Sequence, residues 1–320
     1  MRLATLRDAT PDGALAVVSA DGERCLSAGT SLIAAMADWV LAEPALRALA
    51  ARVETDGRPI DPARLAAPLP RSWQWLDGSA FPTHGYLMQK AFALPPIESA
   101  RPLMYQGLSD RFYGPRDSIP FVDEADGIDF EGEFGVITDS VPMGTRADQA
   151  LDHVKLVVLI NDWSLRAIAP VEMKTGFGWV QAKPACSAAP IAVTPESLGD
   201  AWNDGRVHLP LEVKVNGAWF GHPHGREMAF GFHELIAHAT RTRALVAGTI
   251  IGSGTVSNRD YASVGSCCIS ERRAIEMISH GAARTPYLRF GDRVAMTAQG
   301  AAGTSPFGEI DQRVISASSG

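Results

Sequence analysis

The sequence predicts a mostly β chain of the α+β class, with a small N-terminal α/β unit over residues 1–78 and a larger body over 79–320. Three observations predict this. From about residue 100 onward, apolar runs rich in Val, Ile and Leu are punctuated by Gly, Pro and Asn, the signature of strands and turns. The helical segments do not alternate regularly with those runs, which disfavours a doubly wound parallel sheet. A Pro- and aromatic-rich stretch, "PARLAAPLPRSWQWLDG", separates the first unit from the rest and suits a linker packed against the main body.

Within the first unit, "ALAVVSADGERCLSA" sets apolar runs on either side of Asp21-Gly22, a strong hairpin signal. Residues 31–52 have helical periodicity but meet Pro44, which predicts two short helices or one kinked there. In the larger unit "HVKLVVLIND", "APIAVT", "VHLPLEVKVNGAWFG", "GTIIGSGTV" and "YLRFGDRVAMTA" read as strands, with Asn216-Gly217 as a hairpin turn. Residues 232–246 and the first half of "RADQALDHVKLVVL" read as amphipathic helices.

Composition narrows the function classes. The 29 basic and 36 acidic residues are scattered, with a net charge of −7 and no basic block, which argues against nucleic acid and for a small-molecule partner. The start, "MRLATLRDATPDG", lacks the apolar run of a signal peptide, and no segment approaches the roughly 18 apolar residues of a membrane span. A cytoplasmic protein without membrane contact is the expectation. Cys25, Cys186, Cys267 and Cys268 form no CxxC pair, which predicts free, inert thiols rather than a metal or catalytic set.

One stretch, "GIDFEGEFGVITDSVPMG", reads as a strand yet carries Asp129, Glu131 and Glu133 at alternate positions. On a regular strand these share one face, about 6.5 Å apart per step. Such carboxylates repel one another unless they are solvated, protonated or bound to a cation. Spacing alone fits a water-exposed acidic edge as well as a site for a hard divalent ion. Further on, Asp162 ends the apolar run "LVVLIND", Lys183 lies in "GFGWVQAKP", and Thr255 lies in the Gly-rich "GTIIGSGTVS".

Taken in order, "PLMYQGLSDRFYGPRDSIP", "IDFEGEFGVI", "NDWSLRAI", "GFGWVQAKP", "GTIIGSGTVS" and "FGDRVAM" resemble the fumarylacetoacetate hydrolase family over roughly residues 79–310, in a bacterial member with an extra small N-terminal domain. The resemblance implies that family's mixed β-sandwich roll, a homodimer, and a divalent ion, Mg²⁺ or alternatively Mn²⁺ or Ca²⁺, held by Glu131, Glu133 and Asp162. It implies Lys183 as an active-site lysine and Thr255 and Tyr105 as substrate-binding residues. It also implies His84 as the group that activates water. In compact members that histidine pairs with a glutamate three residues later, where this chain has Leu87. His84 therefore acts alone, pairs with a more distant acid such as Glu98, or is a surface histidine. His222 and His224 in "GHPHG" read as solvated loop residues.

Two departures bear on the substrate. Larger family members place an additional acidic ligand where this chain reads Tyr105-Gln106-Gly107, with Asp110 out of register, so a water is expected there. They also carry Gln and Tyr side chains where Ala169 and Met173 stand, which disfavours fumarylacetoacetate itself. The resemblance thus implies a metal-dependent hydrolase that cleaves a C–C bond in a β-diketo or 2,4-dioxo acid of the acylpyruvate or fumarylacetoacetate type, in aromatic-compound catabolism. A hydratase, isomerase or decarboxylase of a 2-keto acid would use the same metal site without an attacking water, and the absent glutamate after His84 favours it. A metal-stabilised binding protein without chemistry is the third possibility, against which Lys183 and Thr255 speak.

Overall fold

A computed structural model describes residues 1–320 apart from 94, 96–99, 301–302 and 318–320. The largest sheet has eleven strands and runs through the whole molecule. Its order is Arg58–Pro59, Arg24–Ser27, Ala14–Val18, Arg2–Leu6, Ile191–Val193, Val154–Asn161, Gly132–Thr138, Thr249–Gly252, Trp75–Gly78 and Met104–Gly107, with Ser187–Ala188 added beside Asn161. Thr249–Gly252 pairs parallel with Trp75–Gly78, whereas its other neighbour, Gly132–Thr138, is antiparallel. A second, five-stranded sheet orders Ala218–Gly221, Leu211–Val215, Arg293–Ala298, Glu309–Ser316 and Ile119–Phe121.

Both faces of the large sheet are covered, which explains the nearly continuous apolar run of Val154–Asn161. Val157 and Leu159 face the five-stranded sheet, joining Leu211, Val213, Met296 and Ile310 in one core. Leu156, Val158 and Ile160 face the opposite way and pack with Leu32, Met36, Trp39 and Leu46 of the N-terminal helices. Each such side chain, taken fully out of water, contributes roughly 1.5–3 kcal/mol.

Several sequence expectations need correction. The helix break falls at Asp38, which caps Trp39–Ala50 by accepting from the Leu41 N–H at 3.3 Å, and Pro44 lies inside that helix. The end of the expected linker, Trp75–Gly78, is a buried strand. The helix expected over 232–246 is Phe232–Ala239. The sequence reading passed over a twelve-residue helix, Ile269–His280, whose N-cap is Cys268 and whose C-terminal Gly281 has φ +78°. The Cys268 sulfur accepts from the Glu271 N–H, while Cys267 is buried beside Leu211. The turns expected at Asp21-Gly22 and Asn216-Gly217 are present, with Asn216 and Gly217 both at positive φ, as a two-residue hairpin turn requires. Among the described residues no helix is long and apolar enough to cross a membrane.

Candidate active site

The acidic stretch is not one strand. Ile128–Asp129 pairs with Ser164–Leu165 in a small separate sheet, and the chain re-enters the large sheet only at Gly132. The three acids consequently face three different settings. Asp129 is fully buried and accepts from Arg166 Nε at 2.8 Å and from the N–H groups of Ile269 and Ser270. Glu131 gives one oxygen to Arg166 and the other to Lys183 Nζ at 2.5 Å. Glu133 is fully buried, and among the described residues no basic or backbone donor reaches either of its oxygens, which lie against the Asp77 carboxyl.

Glu133 instead forms a tight group with Asp162 and Asp77, each offering an oxygen within 4.8 Å of the others. These three come from the same end of neighbouring strands: Asp162 just beyond Val154–Asn161, Glu133 within Gly132–Thr138, and Asp77 within Trp75–Gly78. The strand between the last two contributes Gly252, opposite both Asp77 and Gly135. A methyl group at Gly252 would overlap Asp77 Oδ1 and the Trp75 ring and come within 2.9 Å of Glu133 Oε2. Two residues on, the Gly254 N–H donates to Asp77 Oδ1 at 3.0 Å. The "GSGT" segment is therefore glycine-rich because the carboxylates close across it. Thr255 follows directly and is buried, between Gly254 and Val256, whose N–H bonds the Gly132 carbonyl.

The electrostatics fit a hard cation. Burial, reinforced by the Asp162 charge, pushes Asp77 up to about 8. Burial and the neighbouring acids push Glu133 well above the usual carboxylate range. Burial would raise Glu131 too, but Lys183 and Arg166 outweigh it and hold that carboxyl below the ordinary range. For Lys183, burial is likewise overridden, by Asp162 and Glu131, so the side chain stays an ammonium. Five carboxylates thus face two cations, and an all-oxygen set with a buried glutamate that no basic group among the described residues reaches suits a divalent ion such as Mg²⁺ or Mn²⁺. Asp77, Glu133 and Asp162 would hold it, with Glu131 alongside in contact with Lys183.

Asp162 is heavily supported. Lys183 Nζ and the Tyr105 hydroxyl both donate to Oδ2, at 2.6 and 2.5 Å, and the Cys186 thiol donates to Oδ1 at 3.0 Å. Burial and the Asp162 charge raise both Tyr105 and Cys186 above their usual values, so each stays a neutral donor. Tyr105 thus meets a carboxylate, its ring edge-on to Trp179. Lys183 is delivered by a loop that Glu172 fastens, its carboxylate accepting the N–H groups of Val180, Gln181 and Ala182.

His84 lies on the helix Pro82–Phe92, seven residues after Asp77. Its Nδ1 is 2.9 Å from Oε2 of Glu271, a fully buried residue in the first turn of Ile269–His280. Leu87 points into the core, and Glu98 lies outside the described residues. Gly107 packs against Trp75, and Asp110 is exposed, so the additional acid near the strand is Asp77 rather than a residue of the Tyr105 segment. His222 and His224 are held locally, accepting from Trp219 Nε1 and the Arg226 N–H.

The sequence reading missed Asp77 and Glu271. Asp77 follows Trp75-Leu76 at the exit of a buried strand, the same pattern that singled out Asp162. Glu271 had a weaker signal: Ile269, Ala274 and Ile278 at near-helical spacing, closed by Gly281.

Buried acids that could hold a metal ion, an adjacent ammonium and a His–Glu pair lie together at one end of a mixed sheet. The chain belongs to the fumarylacetoacetate hydrolase family: residues 74–315 match the fumarylacetoacetate hydrolase C-terminal model, and residues 1–71 match the fumarylacetoacetase N-terminal domain 2 model. It is 27% identical over 157 residues to a 2,4-didehydro-3-deoxy-L-rhamnonate hydrolase of Sphingomonas sp. (strain SKA58), covering 48% of this chain and 52% of that protein. It is 26% identical over 157 residues to the mitochondrial oxaloacetate tautomerase Fahd2a of Rattus norvegicus, covering 48% of each. The chain spans about half the length of these curated relatives. Its fold matches a maleylpyruvate hydrolase from Sphingobium sp. SYK-6, solved with manganese(II) and pyruvate, at a TM-score of 0.67 and 18% identity over 99% of both chains. A probable 2-hydroxyhepta-2,4-diene-1,7-dioate isomerase from Mycobacterium abscessus matches at a TM-score of 0.66 and 21% identity, also over 99% of both.

Proposed function

We propose that this protein is a metal-dependent hydrolase that cleaves the C–C bond of a 2,4-dioxo acid of the acylpyruvate type. The single observation that carries this reading is the His84–Glu271 pair beside the carboxylate cradle. A divalent ion held by Asp77, Glu133 and Asp162 would supply Lewis acidity to the two oxygens of a chelating diketo acid. With Nδ1–H donated to Glu271, the His84 ring keeps Nε2 as its acceptor and can take a proton from water as the water attacks the C4 carbonyl. The Lys183 ammonium stabilises the oxyanion that develops there. Collapse breaks the C3–C4 bond, releasing a carboxylic acid and the enolate of a 2-keto acid, which is then protonated.

A second reading, isomerisation or tautomerisation without an attacking water, has its support in the names of the relatives, which include tautomerases. It draws less from the geometry, because the glutamate missing after His84 is replaced by Glu271 from another helix. Product analysis on 2,4-dioxopentanoate with Mg²⁺ or Mn²⁺ separates the two: hydrolysis yields acetate and pyruvate, and tautomerisation leaves five carbons together. Glu271→Gln should slow cleavage by about 10²–10³-fold, while solvent deuterium still enters C3. Equal loss of cleavage and exchange would instead assign the pair to enolisation.

The same reading includes a cytoplasmic homodimer. Val171, Met173, Phe177 and Val180, all strongly exposed within ten residues beside the active-site loop, support a self-association face. Sedimentation velocity at micromolar concentration reads the mass, and a monomer would exclude the dimer.

A further inference from the structure

We infer that Asp129, the first acid of the "DFEGE" stretch and the one no metal role absorbs, is a positioning residue that locks the water-activating half of the site to its cationic half. Its Oδ1 accepts from the N–H of Phe130 at 2.8 Å and of Ile269 at 2.7 Å, and its Oδ2 accepts from the N–H of Ser270 at 2.9 Å and from Arg166 Nε at 2.8 Å. The first N–H groups of a helix have no partner within it, so a carboxylate that gathers two of them fixes where the helix begins. The helix so fixed carries Glu271 in its first turn, and Glu271 holds His84. The guanidinium on the other side of Asp129 also grips Glu131, which binds Lys183. One fully buried side chain therefore sets the distance between the base and the ammonium that must act on the same carbonyl. Misplacement of about 1 Å between reacting groups costs on the order of 10²-fold in rate.

The inference rests on the hydrolytic reading, and its test has one arm that does not. Asp129→Asn keeps the size but turns an NH₂ group toward Arg166 Nε–H or the Ser270 N–H, both donors. In the holoenzyme with Mn²⁺, that variant should lower kcat for cleavage by about 10–100-fold, with KM and Mn²⁺ affinity within threefold. In a Glu271→Gln background the same change should cost less than threefold more, because its effect is already lost. Independently of any substrate, hydrogen exchange should rise at Ile269 and Ser270 and stay unchanged in Gly132–Thr138. Asp129→Ser is the second variant should the amide fail to fold. Full additivity with Glu271→Gln, unchanged exchange at the helix start, or collapse of both variants would overturn the inference and leave Asp129 a packing residue. Wild-type protein that cleaves no dioxo acid would defeat the hydrolytic reading alone, with the exchange arm still deciding the positioning.

Discussion

Lys183→Met should lower kcat for dioxo-acid cleavage by about 10²–10³-fold, the loss typical when one preorganised donor to a developing oxyanion is removed. The ammonium touches Glu131 and Asp162 directly, so its removal also takes the ion-pair partner from Asp162 and leaves Glu131 to Arg166. A divalent ion then meets more uncompensated negative charge, and its affinity should hold or tighten. That opposition, rate down and metal binding not down, separates an electrostatic catalyst from a structural lysine. Steady-state kinetics together with calorimetric Mn²⁺ titration reads both. Arginine at 183 should rescue poorly, because a planar fork cannot replace a compact ammonium between two carboxylates. Metal affinity lost in proportion to rate would sink the assignment.

Asp77→Asn should weaken divalent-ion binding by more than about 100-fold, since it removes one of three buried oxygen ligands and leaves an amide among acids. Gly252→Ala should produce a comparable loss by a different route, the added methyl displacing the Asp77 and Glu133 carboxylates while no ligand is removed. Agreement between the two variants identifies the cradle by shape as well as charge. Wild-type binding should depend on pH in a definite direction. Without metal, Asp77 titrates at about 8 and Glu133 is raised as well, so below that pH the ion must displace protons. Affinity should therefore rise with pH, by roughly tenfold per unit for each proton displaced, between pH 6 and 8. Calorimetry in buffers of different ionisation enthalpy counts the protons released. Flat affinity across that range, or an Asp77→Asn variant that binds as tightly as wild type, would remove Asp77 from the ligand set.

Much of the fold and part of the site were legible in the sequence, for identifiable reasons. Strands such as Val154–Asn161 and the turn at Asn216-Gly217 are written in local chemistry, as apolar runs and positive-φ residues. Asp162 and Lys183 stand in motifs with recognisable neighbours. The alternation Asp129, Glu131, Glu133 misled because period-two reasoning assumes an unbroken strand, and the chain passes from one sheet to another between Asp129 and Gly132. Asp77 was hidden by the prolines before it, which made a buried strand resemble the end of a linker. The partner of His84 is neither at position 87 nor the acid Glu98 suggested by the sequence but lies on a helix 187 positions later. Contacts of that separation leave no spacing to read. Gly252 shows the reverse case: its role is visible only once three strands are side by side.

The continuous ladder from Arg58–Pro59 to Met104–Gly107 has a mechanical consequence. Because Arg2–Leu6 is zipped antiparallel to Ile191–Val193, the amino-terminal part cannot swing over the catalytic mouth as a hinged cap without tearing main-chain bonds from the middle of the sheet. The pieces of the candidate site that lie outside that ladder are the Pro82–Phe92 helix and the glutamate-fastened loop before Lys183. The leading residues serve as a buttress, shielding from solvent a sheet face whose Leu156, Val158 and Ile160 would otherwise invite aggregation.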